Sequence, residues 1–98
     1  MNIVFVVIDK TGRKLRMTDY NWNHIVKRHP EIASNKEKII ETIENPDKIT
    51  DSLKDEETKY YYKYYKNLPS SYRFMRVIAK YLNGEGFIIS SHFVRAVQ

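Results

Sequence analysis

Ten consecutive residues, Trp22-Asn23-His24-Ile25-Val26-Lys27-Arg28-His29-Pro30-Glu31, hold two of the chain's three histidines, two cations, a carboxylate and the only tryptophan. Imidazole, with an unperturbed pKa near ~6.5, accepts or donates a proton at neutral pH, and a guanidinium binds a phosphate through two parallel N–H groups. Proton transfer beside a positive charge is chemistry these residue types could carry. The third histidine closes Ser90-Ser91-His92 near the C-terminus. Nothing here suggests a cofactor or a metal: there are no cysteines, no H-E-x-x-H pair and no carboxylates at ligand spacing.

The elements that must carry these residues follow from the pattern. Thr18 is a good N-cap and Asp19 suits the first turn, which predicts a helix from about Asp19 to Arg28. Pro30 ends it and pushes His29 out of the helical region into an extended conformation. On a helical wheel Trp22, Ile25 and Val26 share the buried face, while Asn21, His24 and Arg28 lie opposite, with His24 and Arg28 neighbours at i,i+4. A regular helix would turn His29 towards Trp22 and away from His24; the break at Pro30 leaves its direction open. Each residue also has an ordinary reading: His29 as a cation at a helix C-terminus, Arg28 as a surface charge, Trp22 as core.

Around this helix, Ile3 to Ile8 reads as a strand buried on both faces, turned at Asp9-Lys10-Thr11-Gly12 into a short strand from Lys14 to Met17. A second helix is expected from Ser34, with Ser34-x-x-Glu37 as a capping box and Ile39, Ile40 and Ile43 as its apolar stripe, ending at Asn45-Pro46-Asp47. Strands follow at Lys48 to Leu53, Thr58 to Lys66, Tyr72 to Leu82 and Phe87 to Val97, the last two joined through Asn83-Gly84-Glu85-Gly86. The expected class is α+β: an N-terminal β-hairpin and two helices, then a four-stranded antiparallel sheet, in one domain over 1–98.

Strand alternation places Tyr72, Phe74, Arg76, Ile78 and Lys80 on one face. A two- or four-residue turn adds Phe87, Ile89, Ser91 and Phe93 to it and puts Ser90 and His92 on the other; a three-residue turn exchanges these sets. Either way one face carries two cations among aromatics, an arrangement that fits a phosphate-bearing chain with exposed bases or, equally, a solvated amphipathic sheet. The balance of 17 Lys and Arg against 12 Asp and Glu, net charge +5, with eight tyrosines, favours a polyanionic partner. The apolar opening is too short to span a bilayer and lacks a basic leader, so a cytoplasmic protein without membrane contact is expected.

In order, W-x-H-I-x-x-R-H-P-E (Trp22 to Glu31), a short helix, N-P-D (Asn45 to Asp47), a Tyr/Lys-rich strand and G-F-I-I-S-S-H-F (Gly86 to Phe93) resemble the small phage- and toxin-associated nucleases of the barnase–EndoU–colicin–RelE superfamily. The similarity runs over roughly residues 14 to 97. It implies a barnase/RelE-like α+β domain that cleaves RNA without metal, using His24, Arg28 and His29, Lys63 or Arg76, and Ser90. The family finish is closer to Thr-Ala-Tyr; Ser90-Ser91-His92 departs from it and leaves the hydroxyl open between Ser90 and Ser91.

The expected activity is endoribonuclease cleavage by 2′-OH attack, with His24 or His29 as base or acid and Arg28 and Arg76 on the phosphate. Tyr62, Tyr65, Lys63, Lys80, Ser91 and His92 would contact RNA. The alternative is a non-catalytic RNA- or protein-binding module on the same scaffold. An acidic antitoxin or immunity protein is a further candidate partner; oligomeric state is left open.

Overall fold

The computed structural model describes residues 2–97. Its order is β1 (Ile3–Ile8), β2 (Lys14–Thr18), α1 (Asp19–Arg28), a 3-10 segment (Pro30–Ser34), α2 (Lys36–Glu44), β3 (Lys48–Asp51), β4 (Thr58–Tyr64), a 3-10 turn (Ser70–Tyr72), β5 (Phe74–Leu82) and β6 (Glu85–Val94). The class is α+β as expected, but the six strands form one mixed sheet in the order β1-β2-β6-β5-β4-β3. The four later strands are antiparallel neighbours. The N-terminal hairpin joins them through a short parallel ladder, Leu15↔Gly86 and Arg16↔Phe87. Gly86 is required there: a Cβ would lie 2.6 Å from Leu15 Cδ2 and 2.8 Å from the Lys14 carbonyl.

One apolar core, built on Leu15, Met17, Ile25, Ile32, Ile39, Ile43, Tyr61, Met75, Val77 and Ile88, lies between the helices and one sheet face. The sheet curls around it. β1 and β4 are four strand spacings apart, about 19 Å if flat, yet the Tyr61 hydroxyl donates to Asp9 Oδ2 at 2.7 Å. Asp9 also accepts from both the amide and the hydroxyl of Thr11 and from the Arg13 amide, so it closes the β1–β2 turn as well. Burial alone would raise its pKa, but these hydrogen bonds outweigh burial and hold it below the ordinary carboxylate value. Tyr61 also shares a hydrogen bond with the Tyr81 hydroxyl; burial, then Tyr81 and Asp9, push the Tyr61 phenol far up.

Three sequence expectations are corrected. β1 is not buried on both faces: it is an edge strand, with Val6 and Ile8 about half exposed. The second helix does not use the Ser34–Glu37 capping box. Pro30 starts a 3-10 segment instead, Ser34 donates back to the Glu31 carbonyl, and α2 begins after Asn35. The sheet is not four strands beside a separate hairpin, as stated above. α1 is as expected, Thr18 Oγ1 accepting from the Asn21 amide at 3.1 Å. No helix among the described residues is long and apolar enough to cross a membrane.

Candidate active site

The sheet face turned away from the core, open except where Tyr62 is buried, is set by the β5–β6 register. Leu82 pairs with Glu85, so the hairpin turn is the two residues Asn83 and Gly84, both at positive φ (53° and 79°), as expected of a twisted two-residue hairpin. Lys80 accordingly opposes Phe87. The ladder then shifts: Ala79 pairs with Ile88 but Ile78 with Ser90, leaving Ile89 as an extra residue. A bulge inverts the alternation beyond it. Ser90 and His92 therefore join Ile78 and Arg76 on the open face, and Ser91 turns inward.

His92 lies directly across from Arg76. Arg76 Nε donates to His92 Nε2 at 3.1 Å, and Arg76 Nη2 sits 2.5 Å from the same nitrogen. With Nε2 accepting from a permanent cation, the ring proton is assigned to Nδ1. That Nδ1 is buried and has no hydrogen-bond partner among the described residues. Burial first, then the charges of Arg76 and His29, lower the His92 pKa to about 4, against an opposing pull from Glu31. His92 is thus neutral at pH 7. The Arg76 guanidinium also lies 5.7 Å from the centroid of Tyr60, its diagonal neighbour on β4.

His29 completes the group from the other side. It is the C-cap of α1, at φ −132° and ψ 78°, out of the helical region as Pro30 dictates; its amide still bonds the Ile25 carbonyl at 2.8 Å. Its ring stacks on His92, centroids 4.9 Å apart and planes 29° apart. Access comes from the brevity of the β2–β6 ladder. Beyond Arg16↔Phe87 the β6 backbone loses its strand partner on that side, and Asn21 Nδ2 takes over by donating to the Ile88 carbonyl at 3.0 Å. The end of α1 is thereby held against β6. Asn21, assigned to the exposed side of the helical wheel, is the residue that docks the helix.

The other expected site residues scatter. His24 and Arg28 are exposed on α1 and make no hydrogen bond or ion pair among the described residues. Ser90 shares the open face, two residues from His92. Ser91 is fully buried, its hydroxyl donating to Met75 Sδ at 3.2 Å, so it is not available for substrate contact. Tyr62, opposite Arg76, is also fully buried and offers no open ring for stacking. Lys80 stays on the open face, four residues along β5 from Arg76. Lys63 and Tyr65 belong to a separate groove: Lys63 Nζ donates to the Asn45 carbonyl at 3.0 Å, and the Tyr65 hydroxyl donates to Glu41 Oε2 at 2.7 Å. Burial and the Glu41 carboxylate push the Tyr65 phenol up.

Tyr60 and Glu31 were not singled out from sequence as site residues, although Glu31 closes the H-P-E run and Tyr60 alternates with Tyr62. The described residues gather no three His, Asp or Glu side chains placed to share a metal ion.

Taken together, His29, His92 and Arg76 join a histidine with one ring face covered to a cation whose orientation is fixed by a neutral imidazole. Such a group can move one proton next to an anchored positive charge. Comparisons of this chain with protein-family models, with curated proteins and with solved structures find no match.

Proposed function

We propose that this protein is a metal-independent endoribonuclease whose reacting groups are His29 and Arg76, with His92 positioning Arg76. The observation that carries the reading is the stacked His29–His92 pair with the Arg76 guanidinium bonded to the inner ring. In this mechanism His29 takes the proton of a ribose 2′-OH. The 2′-oxygen attacks the adjacent phosphorus, and Arg76 stabilises the charge that builds on the phosphoryl oxygens. The bond from phosphorus to the 5′-oxygen breaks, that oxygen collects a proton from solvent, and the product retains a 2′,3′-cyclic phosphate.

Neutral His92 does not compete for this proton, because its Nε2 is filled by Arg76. Its contribution is to hold the guanidinium rigid, which a preorganised electrostatic site requires. The resemblance of the motif order to that of the barnase–EndoU–colicin–RelE nucleases and the net charge of +5 favour RNA as the substrate in this reading. His24 and Arg28, exposed on the outer side of α1, are left to peripheral RNA contact.

One observation favours a second reading, a non-catalytic RNA-binding module: only one histidine of the pair is placed to exchange protons. The test is incubation of purified protein with single-stranded RNA in EDTA, beside His29→Ala. Cleavage by the wild type and loss in the variant, with binding retained, supports the nuclease. RNA binding without cleavage supports the module.

A further inference from the structure

The open face continues beyond Arg76 in one direction that the reaction does not use. Phe74 lies two residues from Arg76 on the same face of β5, and Tyr64 is directly opposite it on β4. Their rings pack with centroids 5.3 Å apart at 60°, and Tyr64 remains 43% exposed. β3 ends its pairing at Lys48↔Tyr62, so no strand flanks Tyr64 on its outer side. Tyr64 also forms the wall of a groove of about 520 Å³ that includes Lys38, Lys63, Lys66 and Tyr65.

The three lysines in this groove are held, where they are held, by neutral groups. Lys38 Nζ sits 5.5 Å from the Tyr65 ring centroid, and Lys63 Nζ donates to a backbone carbonyl. Both ion pairs among the described residues, Arg16–Glu85 and Lys59–Asp51, lie elsewhere. The groove's carboxylate, Glu41, is engaged by the Tyr65 hydroxyl, and Asp47, outside its lining, accepts from the Tyr64 amide. Lys63 pairs with buried Met75, so the groove lies on the helix side of β4. It is reached from the Tyr64–Phe74 pair around the edge of β4 that β3 leaves free, and there three ammonium groups face one occupied carboxylate.

From this arrangement we infer that the site takes single-stranded RNA several nucleotides long, running from the His29–Arg76 centre over the Tyr64–Phe74 pair into the lysine groove. One base stacks on Tyr64, and the following phosphates lie along Lys63, Lys66 and Lys38. An exposed ring flanked by cations binds an unpaired base through its face and the backbone through charge, whereas a duplex keeps its bases stacked within itself. The inference rests on RNA being the substrate, but not on which residue moves the proton.

The test measures binding of a fluorescein-labelled 12-nucleotide single-stranded RNA to the full chain carrying His29→Ala, across a salt titration. Each phosphate contact removed should reduce the slope of log K against log [salt] by about 0.7. Adding K63Q and K66Q together should therefore make the slope about 1.4 shallower, whereas K10Q with K54Q, an equal charge loss at exposed positions elsewhere, should leave it unchanged. Tyr64→Leu should weaken binding roughly 5- to 150-fold and Tyr64→Phe should not, since stacking needs only the ring. An unchanged slope in K63Q/K66Q, equal losses in both lysine pairs, equal affinity for a 12-base-pair duplex, or no RNA binding at all overturns the path. Cleavage of a ribodinucleotide by the wild type, which spans only the histidine centre, is scored separately. Cleavage without the slope change refutes the path alone; the slope change without cleavage refutes the nuclease mechanism alone.

Discussion

Arg76 and His92 face each other across β5 and β6, with the guanidinium Nε donating to the imidazole Nε2 at 3.1 Å. That edge of the guanidinium is thus oriented by a neutral ring.

Replacing Arg76 by lysine tests whether that fixed fork matters. Lysine keeps the charge but offers a single mobile ammonium in place of the planar donor set. In Arg76→Lys, kcat should fall about 100-fold, the scale of losing one positioned donor to a developing oxyanion, with KM moving much less. His92→Gln should lower kcat less than Arg76→Lys does, because it loosens Arg76 without removing it. Circular dichroism and urea midpoints of each variant, beside steady-state kinetics on a short RNA, separate these outcomes from a general loss of folding, which would lower apparent kcat with KM unchanged.

Stability should fall on the acid side in two separable windows. The His92 pKa is about 4 in the folded protein against an ordinary 6.5, so the unfolded chain binds more protons between these values. Stability therefore falls as pH drops from about 6.5 to 4. Asp9 is held below its ordinary 3.8 by hydrogen bonds that outweigh its burial, so its contribution is lost only below that value. Urea midpoints measured from pH 7 to 3 should show both windows, and His92→Gln should flatten the upper one while leaving the lower.

Gly86→Ala tests the docking of the N-terminal hairpin. The added methyl meets the Lys14 carbonyl and Leu15 Cδ2 well inside contact distance, and overpacking of this kind costs about 1–3 kcal/mol. Because Gly86 is half of the two-pair β2–β6 ladder, hydrogen exchange should rise first in β1 and β2. Uniform acceleration across β4 and β5 would mean that the hairpin is not a separable unit.

Much of this was legible from sequence. Thr18 as cap, the stop at Pro30 and the release of His29 from the helix follow from local chemistry, and each is found. The two-residue Asn83-Gly84 turn was among the options that alternation allowed. What pattern could not supply was the Ile89 bulge, which leaves no composition signal yet decides the face of every residue after it. For that reason Ser91, rather than Ser90 or His92, proves to be the buried one. Asn21 misled because a polar residue that caps a strand's free carbonyl looks, on a helical wheel, like one that faces water. The β1 run reads as doubly buried because its six residues are all apolar, yet the sheet order leaves it at an edge.

If His29 moves the proton, the reaction yields a cyclic phosphate only while its imidazole is present. Phosphorus NMR of the products, after incubation of a short single-stranded RNA with the protein in EDTA, tests it most directly. The wild type should give a 2′,3′-cyclic phosphate signal that is absent with His29→Ala, with His24→Ala close to wild type. A 5′-phosphate product, or cyclic phosphate formed equally by His29→Ala, would contradict it.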